Sequence, residues 1–157
     1  MKRIFVVSDT HGNARALEKV KNVMAESDYV IFLGDGASDV IKYRDMLKDK
    51  LYVVDGNCDG NFFGRKEGVL TVENHKIFYT HGDLYSVKRD LYRLNLKAKE
   101  TGADVVLYGH THIAKEESID GTIFINPGNM SKYSCDATYA YVCVTESKVI
   151  TTIVGVY

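Results

Sequence analysis

Three short apolar runs alternate with two amphipathic segments in the first third of the chain. The runs predict buried strands at residues 2–8, 29–33 and 51–54. Apolar residues recur at helical spacing in the two segments between the runs: Leu17, Val20 and Met24 in the first, and Val40, Tyr43 and Leu47 in the second. This β-α-β-α-β order predicts a parallel, right-handed sheet with helices on its faces.

The rest of the chain adds more strands and one clear helix. A hairpin is predicted at residues 69–73 and 76–80, with Asn74 and His75 as its turn, and a helix at residues 86–101. Further strands are expected at residues 105–108, 116–119, 122–126, 139–145 and 149–156. No repeat or low-complexity linker interrupts the 157 residues. We therefore expect one α/β domain, residues 1–157, with two sheets.

Composition excludes some classes of protein. The chain has 20 basic and 21 acidic residues, so its net charge gives no support for a dedicated nucleic-acid binder. No apolar run approaches the length of a membrane span, and the first run is too short for a signal peptide, so we expect a cytoplasmic protein. Its three cysteines show no CxxC spacing and predict reduced thiols. The sequence leaves the oligomeric state open, a homo-oligomer included.

Five predicted strand ends carry side chains of the kind that bind metal ions. These residues are Asp9, His11, Asp35, Asn57, His81, His110 and His112. Ligands in open α/β sheets collect outside the carboxyl ends of the strands. Four of the five histidines lie at such ends, whereas His75 is predicted to be a solvated turn residue.

Seven potential ligands are too many for one metal ion. Two ions about 3.5–4 Å apart that share one carboxylate would use all seven and leave positions for water. Imidazoles and oxygens suit Mn²⁺, Fe²⁺, Zn²⁺, Co²⁺ or Ni²⁺ better than Ca²⁺. A hydroxide held between two such ions is a nucleophile at neutral pH, and the ions also neutralise phosphate oxygens. This is the arrangement expected of a phosphoester hydrolase.

Five motifs in this order carry a family resemblance: Asp-x-His at 9–11, Gly-Asp at 34–35, Gly-Asn-Cys-Asp at 56–59, His-Gly at 81–82 and Gly-His-Thr-His at 109–112. Together they resemble the calcineurin-like metallophosphoesterase family, and in particular its compact YfcE-type phosphodiesterase branch. The resemblance implies a two-sheet β-sandwich flanked by helices, a four-layer α-β-β-α fold. It also implies hydrolysis of a small phosphodiester by a hydroxide that bridges two metal ions, with Mn²⁺ expected first.

The resemblance also implies roles for individual residues. Asp9, His11 and His112 would bind the first metal ion, Asn57, His81 and His110 the second, and Asp35 both. Asp35, Asn57, Cys58 and Asp59 are the expected catalytic residues. Thr10, Asn13 and Cys58 are the candidate substrate contacts, although Asn13 could equally cap the helix that follows it.

Two departures from the family pattern affect these expectations. Cys58 occupies a position where many members have a histidine that assists the leaving group. A thiol is a poorer proton donor to oxygen than an imidazolium at neutral pH, so we expect weak activity on monoesters with poor leaving groups. The second motif, residues 34–39, is one residue longer than the common Gly-Asp-x-x-Asp, and no role is assigned to Asp39.

Two other functions compete with hydrolysis of a small phosphodiester. One is a protein-binding scaffold like the retromer subunit of this fold, which has lost part of its ligand set; the other is a small nuclease. All seven ligand positions are filled here, which favours catalysis. The tyrosines near the end of the chain favour strand packing, with base stacking as the alternative: Tyr133, Tyr139, Tyr141 and Tyr157.

Overall fold

A computed structural model describes residues 1–157. Its ten strands are β1 (Lys2–Val7), β2 (Tyr29–Phe32), β3 (Leu51–Val53), β4 (Glu67–Val72), β5 (His75–Thr80), β6 (Val105–Leu107), β7 (Lys115–Ile119), β8 (Thr122–Asn126), β9 (Thr138–Val144) and β10 (Val149–Gly155). Its α-helices are α1 (Ala14–Lys19), α2 (Lys21–Glu26), α3 (Ala37–Val40), α4 (Arg44–Leu47) and α5 (Tyr92–Thr101). Short 3₁₀ helices lie at Ile41–Tyr43, Lys48–Lys50 and Asp83–Tyr85. No helix is both long enough and apolar enough to span a membrane.

The strands form two five-stranded mixed sheets. The first has the order β10-β9-β1-β2-β3, in which β1, β2 and β3 are paired in parallel, β9 pairs antiparallel with β1, and β10 pairs antiparallel with β9. The second has the order β4-β5-β6-β8-β7, in which β5, β6 and β8 run parallel. The antiparallel hairpins β4–β5 and β7–β8 complete this sheet. Each sheet therefore has three parallel strands whose carboxyl ends lie at one edge.

The two sheets pack face to face, and helices cover their outer surfaces. In β1, Ile4 and Val6 join a core shared with Ile77 of the second sheet, whereas Phe5 and Val7 face the helical side, as the two-residue period of a strand requires. Helices α1 and α2 cover the first sheet, and α5 covers the second. The four-layer α-β-β-α architecture that the resemblance implied is thus confirmed.

Three predicted helices differ from the structure. The first is divided at Val20 into α1 and α2, although Leu17, Val20 and Met24 are buried as the spacing predicts. The second is divided into α3, the 3₁₀ helix Ile41–Tyr43 and α4. The helix predicted at residues 86–101 starts only at Tyr92, so that prediction is wrong for its first turn and a half. Ser86 has a φ of +53° and cannot continue a right-handed helix, and the Asp90 carboxylate accepts from the N–H of Tyr92 instead. Gly102 ends the helix with a φ of +69°, as predicted.

The first hairpin turns earlier than its sequence indicated. Glu73, with a φ of +49°, makes the turn, and His75 is the first residue of β5, paired with Val72. The His75 side chain is 19% exposed, and its Nδ1 lies 4.0 Å from the Asp104 carboxylate. The prediction that His75 is a solvated turn residue is therefore wrong. It lies at the opposite end of β5 from His81.

Candidate metal centre

The candidate ligands all lie in loops that follow parallel strands. Asp9 and His11 follow β1, Asp35 follows β2, Asn57 follows β3, His81 follows β5, and His110 and His112 follow β6. Because the two sheets are stacked, their carboxyl edges meet, and the loops converge there. Three groups of side chains bring their ligand atoms within 4.8 Å of one another: Asp9, His11 and His112; Asp35, His81 and His110; and His11, Asp35 and Cys58.

The first group is built on Asp9, whose side chain is completely buried. Its Oδ1 lies 3.0 Å from His112 Nε2 and 3.5 Å from His11 Nε2. Its Oδ2 accepts hydrogen bonds from Ser8 Oγ at 2.5 Å and from the His110 N–H at 3.1 Å. One carboxylate oxygen is therefore anchored to the protein, and the other is turned toward two imidazoles.

The second group is built on His81, whose ring is also completely buried. Its Nδ1 lies 2.7 Å from the Leu33 carbonyl oxygen and donates to it, since a carbonyl can only accept. Three atoms then surround its Nε2: Asn57 Oδ1 at 3.0 Å, His110 Nδ1 at 3.1 Å and Asp35 Oδ2 at 3.3 Å. A single proton cannot serve three such partners, whereas a metal ion can.

Asp35 connects the two groups. Its Oδ2 lies 3.3 Å from His81 Nε2 and 3.8 Å from His11 Nε2, and its Oδ1 accepts from the Cys58 N–H at 2.8 Å. Burial alone would raise the pKa of Asp35, but the hydrogen bond and charge of His81 outweigh burial and hold that pKa well below its usual range. An ionised carboxylate thus lies between two sets of metal-type ligands.

The pKa values of the histidines reflect the concentration of negative charge. Burial lowers the pKa of His81, but the carboxylates of Asp35 and Asp9 more than offset this and raise it above its ordinary value. Burial and the charge of His81 lower the pKa of His110. The two buried carboxylates therefore attract positive charge to this point, which a divalent cation would supply.

The surroundings of one candidate ligand atom, His11 Nε2, favour a bound metal ion. His11 Nε2 is buried and has no hydrogen-bond partner, which is unusual for a polar atom inside a protein. It points between Asp9 and Asp35, and a metal ion there would give it a partner. The nitrogen and oxygen atoms of the site also form the ligand set that suits first-row transition metals. The residues present thus fit the metal ions that the sequence predicts.

Most of the candidate ligands have an unusual backbone conformation. Five of them have positive φ angles: Asp9 (+57°), His11 (+43°), Asp35 (+58°), His110 (+69°) and His112 (+63°). Residues other than glycine rarely adopt this left-handed region, and each instance costs about 1–3 kcal/mol unless local hydrogen bonds compensate. Three neighbouring glycines, Gly12, Gly34 and Gly82, also have positive φ angles, so ligands and glycines together make these turns. Asp, Asn and His tolerate the region better than most residues.

Glycines serve the site mainly by allowing close approach. A Cβ atom at Gly56 would lie 2.2 Å from Asp35 Oδ1, and one at Gly109 would lie 2.1 Å from Ser8 Oγ. Neither residue has a positive φ. The third and fifth motifs therefore need glycine because the loop backbone passes directly against the ligands of the neighbouring strands.

Asp59 organises the loop that carries Asp35. Its carboxylate accepts from four backbone N–H groups, those of Asp35 at 2.6 Å, Gly56 at 2.8 Å, and Gly36 and Ala37 at 2.9 Å each. These contacts occupy both carboxylate oxygens. The sequence placed Asp59 among the catalytic residues, and the geometry makes it a positioning residue for Asp35.

Asp39 is a residue of the site that the sequence did not identify. Its Oδ2 accepts from Thr10 Oγ1 at 2.6 Å and from the Gly12 N–H at 2.8 Å, which fixes the loop that presents Asp9 and His11. Thr10 is completely buried and its hydroxyl is committed to Asp39. The extra residue in the second motif concealed this role, although an Asp soon after Asp35 was the available signal.

The other two candidate substrate contacts differ from each other. Asn13 Oδ1 accepts from the Ala16 N–H at 3.3 Å, and its Nδ2 donates to the Met130 carbonyl at 2.7 Å, so the helix-capping alternative describes its contacts. Cys58 is exposed and lies beside His11 and Asp35. Burial of its sulfur and the charge of Asp35 raise the pKa of the Cys58 thiol, which therefore stays protonated at neutral pH.

A cleft of about 410 Å³ opens beside the first ligand group. It is lined by His11, His112, Asn129, Ser131, Tyr133 and Ser134. Sequence reasoning did not place residues 129–134 at the site. They lie in the loop between β8 and β9, and only the tertiary structure brings them next to His112.

Comparison with known proteins agrees with this geometry. The family model described as the Calcineurin-like phosphoesterase superfamily domain matches residues 1–148. The chain belongs to this superfamily of metallophosphoesterases.

Among the similar proteins, some are named as phosphoesterases and others as vacuolar protein sorting-associated proteins. The chain is 36% identical over 145 residues to the probable metallophosphoesterase YsnB of Bacillus subtilis, covering 90% of this chain and 83% of that protein. It is 30% identical over 163 residues to the phosphodiesterase MJ0936 of Methanocaldococcus jannaschii, covering 93% and 95%. It is also 30% identical over 132 residues to vacuolar protein sorting-associated protein 29 of Schizosaccharomyces pombe, covering 80% and 71%.

Proposed function

We propose that this protein is a phosphodiesterase that depends on two divalent metal ions. One observation carries the proposal: two groups of ligand atoms, each within 4.8 Å of one another, are linked by the ionised carboxylate of Asp35, which belongs to one group and lies 3.8 Å from His11 of the other. A single metal ion would leave one group without a partner. Mn²⁺ is the expected ion, with Ni²⁺, Fe²⁺, Zn²⁺ and Co²⁺ as alternatives.

The ligands divide between the two ions as the two groups suggest. Asp9, His11 and His112 would hold the first ion; Asn57, His81 and His110 would hold the second; and Asp35 would hold both. When bound, the ions would activate water for attack on phosphorus and neutralise charge on the phosphate oxygens. The hydrogen bond from His81 to the Leu33 carbonyl keeps Nε2 free for this purpose.

The remaining side chains orient this machinery. Asp59 fixes the backbone of Asp35, and Asp39 fixes the loop of Asp9 and His11. Ser8 Oγ holds the outer oxygen of Asp9. These contacts are all made within the protein, and side chains held in this way need little reorganisation during reaction.

Cys58 supports a diester as substrate. Its exposed, protonated thiol lies beside Asp35 and could donate to a leaving group, but its raised pKa makes it a weak donor. A diester with a stable leaving group needs little protonation, whereas an alkyl monoester needs more. The similarity to a protein named as a phosphodiesterase agrees with this preference.

The proposal is tested by hydrolysis with added metal. Purified protein should hydrolyse bis(p-nitrophenyl) phosphate in the presence of Mn²⁺ or Ni²⁺ and should act poorly on alkyl phosphate monoesters. Asp45→Asn is a suitable control, because Asp45 is an exposed carboxylate outside the site. Absence of turnover in protein that carries two metal ions per chain would refute the proposal.

A protein-binding scaffold is the second candidate, favoured by the similarity to vacuolar protein sorting-associated protein 29. A scaffold would bind a partner tightly and stoichiometrically, and it would not need metal. A pull-down that recovers such a partner, from protein that contains no metal and shows no turnover, would reverse the ranking. The near-neutral net charge of −1 gives no support to a nuclease, and failure to cleave DNA with Mn²⁺ would dispose of that alternative.

A further inference from the structure

Tyr133 is the one aromatic side chain that lines the cleft beside the first ligand group. The sequence favoured a packing role for it, but it lies outside the strands and is 82% exposed. An exposed tyrosine ring next to a catalytic centre provides a flat surface on which a planar group can stack. Lys132 Nζ lies 5.1 Å from the centre of this ring and covers one face, so the other face is available.

A series of hydrogen bonds ties Tyr133 to the candidate metal ligand His112. The Tyr133 N–H donates to Ser131 Oγ at 3.2 Å, and the Ser131 N–H donates to Asn129 Oδ1 at 3.1 Å. Asn129 Nδ2 in turn donates to the His112 carbonyl at 3.2 Å. Asn129 and Ser131 are both buried. The backbone of Tyr133 is therefore held in a defined position relative to the metal centre.

A second pocket of about 380 Å³ continues from the cleft, since Ser131 and Ser134 line both. Three cations line this pocket, namely Arg15, Lys19 and Lys132, and no carboxylate does. None of the three forms a salt bridge. In a chain with net charge −1, three unpaired cations around one concave surface favour an anionic group there.

We propose that the cleft and the second pocket bind a nucleotide as one ester group of the substrate. The base stacks on Tyr133, the sugar lies along Ser131 and Ser134, and a further phosphate of the same nucleotide enters the cationic pocket. A plain aryl group would use Tyr133 but not the cations. This inference rests on the proposed phosphodiesterase function and specifies its substrate class.

Three p-nitrophenyl esters that share one leaving group test the inference. They are methyl p-nitrophenyl phosphate, thymidine 5′-(p-nitrophenyl phosphate), and the same thymidine ester with a phosphate on its 3′ oxygen. With Mn²⁺ present, kcat/KM should rise in this order. The first step measures the base and the sugar together, and the second measures the contribution of the cationic pocket.

Substitutions test which residues cause each of the two increases in kcat/KM. Tyr133→Ala should reduce the preference for the thymidine ester over the methyl ester by roughly 5- to 100-fold, the range expected for loss of one base–aromatic stack. Tyr133→Phe should keep that preference, because the ring remains. Arg15→Gln together with Lys132→Gln should remove the gain from the 3′-phosphate and its dependence on salt. Tyr92→Ala, at an exposed tyrosine on α5, is the matched control and should leave both ratios unchanged.

The outcomes separate the two proposals. Equal kcat/KM values for the three esters, or ratios that Tyr133→Ala does not alter, would overturn the nucleotide inference and leave the phosphodiesterase proposal in place. Absence of turnover of all three esters in metal-loaded protein would overturn both.

Discussion

Asp35 is the residue on which both ligand groups depend. It lies within 3.8 Å of an imidazole nitrogen from each group, and its backbone N–H is anchored by Asp59. Cys58 lies beside it but contributes only its N–H and an exposed thiol. We therefore expect Asp35 to act as a ligand shared by both ions and Cys58 to act only as a weak proton donor.

Substitution of Asp35 should cost more activity than substitution of Cys58. Asp35→Asn removes the charge that both ions share and should lower kcat/KM on bis(p-nitrophenyl) phosphate by more than roughly 100-fold, the upper loss for residues that merely support a ligand. Cys58→Ala should cost less than roughly 100-fold, the lower end for an effective general acid. Steady-state kinetics with saturating Mn²⁺ measure both, and equal losses would count against a shared ligand.

Asp59 should affect metal affinity although it is not a ligand. Asp59→Ala leaves four backbone N–H groups near Asp35 without their acceptor, and we expect Mn²⁺ affinity to fall roughly 10- to 100-fold. Asp59→Asn keeps one acceptor oxygen, so its Mn²⁺ affinity should lie between the affinities of the wild type and Asp59→Ala. Isothermal titration with Mn²⁺ measures the affinity. Unchanged affinity in Asp59→Ala would show that the loop holds Asp35 without this carboxylate.

At the scale of elements, the loops after the strands define the site more than the strands do. The loop after β2 and the loop after β3 pass so close together that Gly56 has no room for a Cβ atom. Gly60, in the same loop as Gly56, has nothing within 4 Å of its Cβ position, although its φ is +62°. A comparison of substitutions at Gly56 and Gly60 therefore separates the effect of crowding from the effect of backbone conformation.

Gly56→Ala should therefore weaken metal binding far more than Gly60→Ala. The added methyl at position 56 must displace Asp35, with an overpacking cost of about 1–3 kcal/mol and weaker Mn²⁺ binding. Gly60→Ala carries only the left-handed backbone cost, about 1–2 kcal/mol, and should keep its metal affinity. Thermal unfolding and Mn²⁺ titration of both variants distinguish the two costs. A loss of metal affinity at position 60 equal to that at position 56 would contradict this explanation.

The sequence predicts the strands of this site, and it predicts that the candidate ligands meet at the strand ends, because both depend on local patterns. Asp9, His81 and His110 lie immediately beyond or close to apolar runs, and residue type alone marks them as potential ligands. Other features depend on contacts between distant segments. In the sequence, Asp59 and Asp39 resemble ordinary turn residues. Their hydrogen-bond partners, Asp35 and Thr10, lie far away along the chain, and only the structure shows these contacts. The placement of Tyr133 beside His112 likewise follows from the return of the β8–β9 loop to the sheet edge.

At the scale of the whole molecule, the candidate metal centre joins the two sheets. Asp9, His11 and Asp35 come from the first sheet, whereas His81 and His112 come from the second. The centre contains two buried carboxylates and the buried His11 Nε2 atom, which has no hydrogen-bond partner. Bound ions should therefore stabilise the packing of one sheet on the other.

Metal removal should lower the stability of the folded protein. At a free Mn²⁺ concentration about 100 times the dissociation constant, binding contributes about 2.7 kcal/mol per site to the free energy of unfolding. Thermal unfolding with Mn²⁺ and with a chelator measures the difference. Asp35→Asn should show a much smaller shift, and an equal shift in that variant would indicate that the ions bind elsewhere.

The number of ions that activity requires tests the central claim most directly. Metal-free protein is titrated with Mn²⁺ while bound metal and hydrolysis of bis(p-nitrophenyl) phosphate are measured on the same samples. A centre with two ions that share Asp35 predicts that full activity requires two bound ions per chain. Full activity at one ion per chain, or no activity at two, would contradict it.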